Sequence, residues 1–112
     1  MIETILYNYL KAAELSADIY MEQPKVKPAA FFLLEKTGGA LEDHIYQSTF
    51  IIQSYGKTLA EAANMNEEVK ATMLNAITLD EISRVEINSD YNYTDPTTKD
   101  YRYQAVFVIT HY

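Results

Sequence analysis

The two histidines of this sequence, His44 and His111, are its first candidates for chemistry. Imidazole is the side chain that most often acts as a general acid or base near neutral pH, and it is a common metal ligand. Neither histidine lies in an H-E-x-x-H or similar metal-binding spacing. We therefore interpret both as ordinary strand residues. The alternative is a two-residue titration site, which would form if their strands were adjacent.

The glycines and carboxylates do not complete a catalytic motif. Gly38, Gly39 and Gly56 are the three glycines, and none belongs to a G-x-x-x-x-G-K phosphate loop. No G-x-S-x-G sequence marks a nucleophilic serine. Glu67 and Glu68 are neighbours on a predicted helix, where adjacent side chains point in different directions and do not form a pair. The sequence thus predicts no catalytic, cofactor-binding or metal-binding residue, and a protein that is not an enzyme.

One stretch imitates the first half of a calcium-binding loop. Asp90, Asn92 and Thr94 have the spacing of its first three ligands. The pattern then fails, because Asp95 stands where the sharp turn requires glycine and Tyr101 where a bidentate glutamate is required. We interpret the stretch as a structural loop held by local side-chain hydrogen bonds.

The composition is that of one globular domain spanning residues 1–112. Apolar residues make up 48% of the chain and charged residues 22%, close to the average for such domains. Cysteine is absent, which excludes disulfides and thiolate sites. The opening sequence MIETILYNYL lacks a basic region, and no apolar run is long enough to span a bilayer. We therefore expect neither a secretion signal nor a membrane partner.

The net charge of −7 argues against specific nucleic-acid binding. Such domains usually carry a basic patch, whereas the nine Lys and Arg residues are scattered along the sequence and only Lys25 and Lys27 are close together. A ring with a negative lumen, through which DNA passes without binding, stays compatible with this charge because like charge repels the phosphates.

Two regions of the sequence predict helices. The first opens the chain with a stripe of apolar residues from Ile2 to Ala13 at helical spacing. The second begins at Thr58, which forms a capping-box pattern with Glu61. Asn66, followed by two glutamates, is typical of another helix start. The pattern leaves open whether this region is one bent helix or two short ones.

Alternating or continuous apolar runs predict five strands. They lie near Ile19, at 29–34, 44–54, 82–88 and 101–111, and the apolar run AAFFLL at 29–34 is typical of a strand covered on both faces. A hairpin loop is expected over 36–43 and a polar loop over 90–100. The order α-β-β-β-α(α)-β-β predicts a single α+β domain, with a largely antiparallel or mixed sheet and two or three helices packed on it.

The helix stripes and the central strands together predict the core. The helices are apolar on one side only and must cover the sheet with that side. We expect contacts among Phe31, Leu33, Phe107, Ile109, Leu6, Leu10, Val69, Met73 and Ile77.

Four stretches of the sequence carry a family resemblance. They are E-K-T-G-G at 35–39, IYQSTFIIQSYGKTLAEAA at 45–63, N-S-D-Y-N-Y-T-D at 88–95 and Y-R-Y-Q-A-V-F-V-I-T-H-Y at 101–112. With the N-terminal helix they cover nearly the whole chain. In these stretches the sequence resembles the tail terminator and tail-completion (head–tail joining) proteins of long-tailed phages and prophages of Gram-positive bacteria.

The resemblance implies a structural virion protein without catalytic residues. Such a subunit assembles in the bacterial cytoplasm into a ring, commonly of six, at the head-proximal end of the tail. There it ends polymerisation of the tail tube and offers a docking face to the head connector. The implied partners are other copies of the chain, the major tail tube protein and the head–tail connector protein, while DNA passes through the ring without specific binding.

The stretches that match best are our candidates for contact surfaces. The sequence carries ten tyrosines, a residue enriched at protein interfaces. The predicted interface residues are Lys36, Thr37, Gly38, Gly39, Asp90, Tyr91, Tyr93, Asp95, Tyr101 and Arg102. Two alternatives remain: another head–tail connector or minor capsid component, and a small ligand-binding α+β module with a pocket of convergent polar groups.

Overall fold

The computed structural model describes residues 1–112 and confirms a single α+β domain. A 3₁₀ turn at Asn75–Thr78 follows the second helix. The elements are α1 (Ile2–Ala12), β1 (Ile19–Tyr20), β2 (Phe31–Glu42), β3 (Ile45–Tyr55), α2 (Leu59–Leu74), β4 (Ile82–Asn92) and β5 (Arg102–His111).

The five strands form one mixed sheet in the order β1-β2-β3-β5-β4. The short β1 pairs parallel to β2, and every other pair is antiparallel. α1 lies against β1 and β2, while α2 lies against β3, β4 and β5. Both helices cover the same face, here called the helix face, and leave the opposite, open face without a helix.

The main core fills the space between the helices and the helix face. Phe107 is fully buried there, and so is Val69 of α2. The prediction is confirmed for Phe107, Ile109, Leu6, Leu10, Val69 and Met73.

The predicted core was wrong for the side chains of β2. Phe32 and Leu34 face the helices, whereas Phe31 and Leu33 belong to a small second cluster with Tyr55 on the open face. The strand begins at Phe31 and not at Ala29, and the last four residues of the apolar run, 31–34, are buried, which confirms a strand covered on both faces there. A continuous apolar run contains no alternation, and a shift of one residue exchanges the two faces.

The second helical region is one helix, which settles the alternative left open by the sequence. Thr58 is its N-cap, and its hydroxyl accepts a hydrogen bond from the Glu61 amide at 3.1 Å. Asn66 does not start a new helix but lies buried within α2. The predicted core position Ile77 was wrong as well: the 3₁₀ turn shifts the helical phase, so that Ala76 is buried and Ile77 is exposed.

The predicted loop at 36–43 was wrong, because β2 continues through it to Glu42. The chain reverses over two residues, Asp43 and His44, with φ of 51° and 66°. Positive φ at both central positions defines a type I′ hairpin turn, and Asp and His tolerate this conformation better than most residues. β2 contains a β-bulge between Lys36 and Gly38.

The predicted loop at 90–100 was too long at its start. β4 extends to Asn92, with a register shift between Ile87 and Ser89, and the connecting loop covers 93–101. The shift reverses the alternation of the strand, which hid its second half from the sequence pattern.

Candidate functional site: the two ends of the sheet

The domain is elongated, with extents of 44 × 25 × 25 Å. The ladder between β3 and β5 runs from the pair Tyr46–His111 to the pair Tyr55–Arg102. The turn at Asp43–His44 lies beyond the first pair and loop 93–101 beyond the second. We call these regions the hairpin end and the loop end.

The predicted interface residues fall into two groups that the fold keeps apart. Lys36, Thr37, Gly38 and Gly39 lie on β2, along the stretch that leads to the hairpin end. The second group lies toward the loop end, on the second half of β4, in the loop and at the start of β5. It consists of Asp90, Tyr91, Tyr93, Asp95, Tyr101 and Arg102.

Arg102 holds the loop end together. Its Nε donates to the Tyr93 carbonyl oxygen at 2.8 Å, and its Nη1 donates to the Tyr55 hydroxyl at 3.2 Å. The guanidinium carbon also lies 4.7 Å from the centre of the Tyr93 ring, within cation–π range. Arg102 therefore orients Tyr93, which is 46% exposed, and is a positioning residue of this end.

A row of hydrogen bonds crosses the open face near the loop end. The Tyr55 hydroxyl donates to Gln53 at 2.8 Å, Gln53 donates to Gln104 at 2.8 Å, and Gln104 donates to the Tyr91 hydroxyl at 2.6 Å. Gln23, from the segment between β1 and β2, donates to the Tyr55 hydroxyl at 3.2 Å. Tyr91 is thus fixed by the sheet, although 41% of it is exposed.

Loop 93–101 is a structural turn, as the incomplete calcium pattern predicted. The Asp95 carboxylate accepts from the Thr97 amide at 2.8 Å and from the Thr98 amide at 3.4 Å. These backbone hydrogen bonds lower the pKa of the Asp95 carboxyl group, and the bond from Thr97 has the largest effect. No group of three or more His, Asp or Glu side chains is placed to hold a metal ion.

Three lysines that are distant in sequence meet at the loop end. Lys27, Lys57 and Lys99 line a cavity of about 170 Å³, together with Asp100 and Tyr101. We call this cavity the lysine pocket. The sequence showed only Lys25 and Lys27 as neighbours, and no local pattern joins the segment before β2, the α2 cap and loop 93–101.

The hairpin end has the opposite character. Leu41, Ile45 and Tyr46 are 57%, 42% and 45% exposed. Glu42 and Asp43 stand at the tip itself. The hairpin end therefore projects apolar side chains behind an acidic tip.

His111 lies between the core and the hairpin end. Its Nε2 is 2.8 Å from the Ser48 hydroxyl, and its ring stacks on Tyr46 with centroids 5.4 Å apart. Burial lowers the pKa of His111. Ser48 is only 2% exposed, so its hydroxyl is not presented to a substrate as a nucleophile must be. The pair acts as a buried hydrogen bond between β3 and β5.

The strand prediction for the histidines is confirmed for His111 and wrong for His44. His44 lies in the type I′ turn, and His111 pairs with Tyr46 across the ladder. A cavity of about 250 Å³ beside His111 is lined by Met1, Ile2, Ile5, Lys36, Tyr46, Glu81, His111 and Tyr112.

Neither helix has the length and hydropathy of a membrane span.

No protein-family model matches this sequence. A comparison with curated proteins finds no significant relative.

Proposed function

We propose that this chain is the subunit of a closed ring that ends the head-proximal side of a phage tail tube and docks the head connector. The observation that carries the proposal is the pair of exposed ends. A ring requires a heterologous contact, in which one surface of a subunit meets a different surface of the next. The hairpin end and the loop end are two such surfaces, different in shape and charge and opposite along the long axis.

The positions of the resembling stretches support the same proposal. The stretch at 88–95 and that at 101–112 form the hairpin of β4 and β5 with the loop end. The stretch at 35–39 lies on β2 toward the hairpin end. Two of the four resembling stretches thus reach the loop end, whereas 35–39 lies within β2 and 45–63 covers β3 and the start of α2.

The β4 edge of the sheet favours contact through the ends of the domain. β4 is an edge strand with two register shifts, and it presents the charged residues Arg84 and Glu86, while Asp90 is bound to Lys70 and Asn66 of α2. Bulges and charges on an edge strand oppose the addition of another strand. The open-face side chains Arg84 and Glu86, which form an ion pair of 2.6 Å, remain available to the tube or the connector.

Polymerisation of a tail tube protein in the presence of the purified chain tests this role. We expect tubes that stop growing, with extra density on one end only, because the chain recognises the last tube ring. A chain that binds the head connector but leaves tube growth unchanged would identify a connector component instead. Binding to neither partner would contradict the proposal.

A further inference from the structure

The charged residues are segregated along the long axis of the domain. Four of the nine Lys and Arg residues lie at the loop end, although the chain has a net charge of −7. They are Lys27, Lys57, Lys99 and Arg102. Arg102 is hydrogen-bonded to Tyr93 and Tyr55, and Lys27 Nζ lies 5.9 Å from the centre of the Tyr55 ring, whereas neither Lys57 nor Lys99 forms an ion pair.

The carboxylates of the loop end only partly neutralise these lysines. Asp95 is engaged with the backbone of its own loop. Asp100 lines the lysine pocket and accepts from the Thr98 hydroxyl at 3.1 Å. Glu61 accepts from the Lys57 backbone amide at 3.1 Å. Three lysines therefore surround one pocket carboxylate, which leaves the pocket positive.

Carboxylates dominate the hairpin end. Glu42 and Asp43 are both exposed at the tip, and the start of β4 brings Asp80 and Glu81 to the same end of the sheet. The cations of this region are Lys36, the Met1 amino group and Arg84, which is paired with Glu86. The type I′ turn makes the tip narrow, since the chain reverses over two residues.

We propose that the acidic hairpin tip of one copy binds in the lysine pocket of the next copy. Glu42 and Asp43 would lie among Lys27, Lys57 and Lys99, and the apolar side chains behind the tip would cover the rim of the pocket. The positive pocket and the negative tip are complementary, and a carboxylate side chain fits within about 170 Å³. The contact specifies how the ring of the proposed function closes, and it rests on that function.

The contact is heterologous and leaves both ends of each copy occupied. The long axis of 44 Å would then follow the circumference. A ring of six such copies would measure roughly 80 Å across its centre line, wide enough for duplex DNA to pass. The ion pairs are exposed at the rim, so salt should weaken the contact.

Disulfide trapping tests the contact, because the chain has no native cysteine. We expect Glu42→Cys combined with Lys57→Cys to give a ladder of covalent oligomers under mild oxidation. The two positions lie at opposite ends of the sheet, so a bond within one copy is excluded by distance. Glu42→Cys with Lys11→Cys is the matched control, because Lys11 lies on α1 outside the pocket. Equal ladders in both variants, or none with Lys57→Cys, would overturn the proposal.

Charge reversal gives an independent readout in sedimentation velocity at high protein concentration, and absence of self-association of the unaltered chain at every concentration would also contradict the contact. Glu42→Lys and Lys57→Glu should each weaken self-association by about tenfold, and the double variant should restore it. Failure of the double variant to restore association, or pocket-dependent binding of a DNA duplex in place of the tip, would contradict the contact. A chain that forms the ladder but ignores tail tubes would keep the contact and refute the phage role.

Discussion

The hairpin end and the loop end differ in how the fold holds them. At the loop end, Arg102, Tyr55 and Asp95 join strands and loop through side-chain hydrogen bonds. At the hairpin end, the tip beyond the Tyr46–His111 pair depends on the ladder between β2 and β3. The loop end is therefore preorganised by side-chain hydrogen bonds, and the hairpin end is a projecting β-hairpin. This difference suits a contact between two unlike surfaces, because a preorganised loop end loses little conformational entropy on binding.

The largest effect is expected from removing the core that supports both ends. Phe107 is fully buried against the helices, so Phe107→Ala should lower the free energy of unfolding by about 3–5 kcal/mol. Val108→Ala, on the partly exposed open face, is the control and should cost on the order of 1 kcal/mol. Denaturant unfolding measures both. Unchanged stability of Phe107→Ala would mean that the faces of β5 are assigned incorrectly.

Truncation of the exposed tyrosines should separate assembly from folding. Tyr91 and Tyr93 pack edge to face, with centroids 5.9 Å apart, and each is more than one-third exposed. Changing both to Ser should weaken assembly by about 2 kcal/mol or more if they anchor a partner. It should cost on the order of 1 kcal/mol of stability and leave the domain folded, because one hydrogen bond and one aromatic pair are lost. A complementation assay should then show overlong or headless tails.

Normal virion yield from the double tyrosine variant would show that Tyr91 and Tyr93 do not contact a partner. The contact should then be sought on the outward side of β4, which presents Arg84, Glu86 and Asn88. Arg84→Ala is the matched variant for that alternative, since it removes the ion pair to Glu86 without touching the core.

Two glycine substitutions sharpen the comparison between the ends. A Cβ on Gly56, at the loop end, would lie 2.6 Å from the Ala62 backbone nitrogen, so Gly56→Ala should cost about 2 kcal/mol. A Cβ on Gly38 would meet nothing within 4 Å. Gly38→Ala should therefore be neutral or stabilise by about 0.4–1 kcal/mol, because it restricts the unfolded chain. Thermal unfolding of the two variants distinguishes these outcomes, and equal destabilisation would contradict the packed loop end.

The smallest predicted effect is a pH dependence beside the hairpin end. Burial lowers the pKa of His111, so the unfolded chain takes up a proton at higher pH than the folded chain. Stability should fall as the pH drops through about 6.5, and this loss continues until the lowered folded-state pKa is passed. His111→Gln should remove this pH dependence of the free energy of unfolding, whereas His44→Gln, in the exposed turn, should retain it. Identical slopes for the two variants would contradict this assignment.

The sequence predicted the positions of the helices and strands more accurately than which side of each strand faces the helices. Apolar spacing located both helices, and Thr58 with Glu61 marked the start of α2 correctly. The run at 29–34 could not show which residues face the helices, because every position in it is apolar. The Gly38–Gly39 pair indicated a turn, yet the turn formed at Asp43–His44, since glycine also fits a strand that bulges.

The candidate site was less predictable than the fold because it joins distant segments. The tyrosines at 91 and 93 were found through their polar surroundings, and they are exposed as expected. The lysine pocket was missed, since Lys27, Lys57 and Lys99 come together only when the sheet forms. Lysines that are scattered along the sequence are thus close together in the folded structure.

The symmetry of the assembly formed on tail tubes tests the central claim most directly. Negative-stain class averages of tube ends should be recorded after the purified chain is added. We predict a single ring on one end, with the cyclic symmetry of the tube and the long axis of each copy along the circumference. A monomer in dilute solution agrees with this outcome, because the tube holds neighbouring copies together. A stable two-fold dimer that leaves the tube ends bare would contradict it.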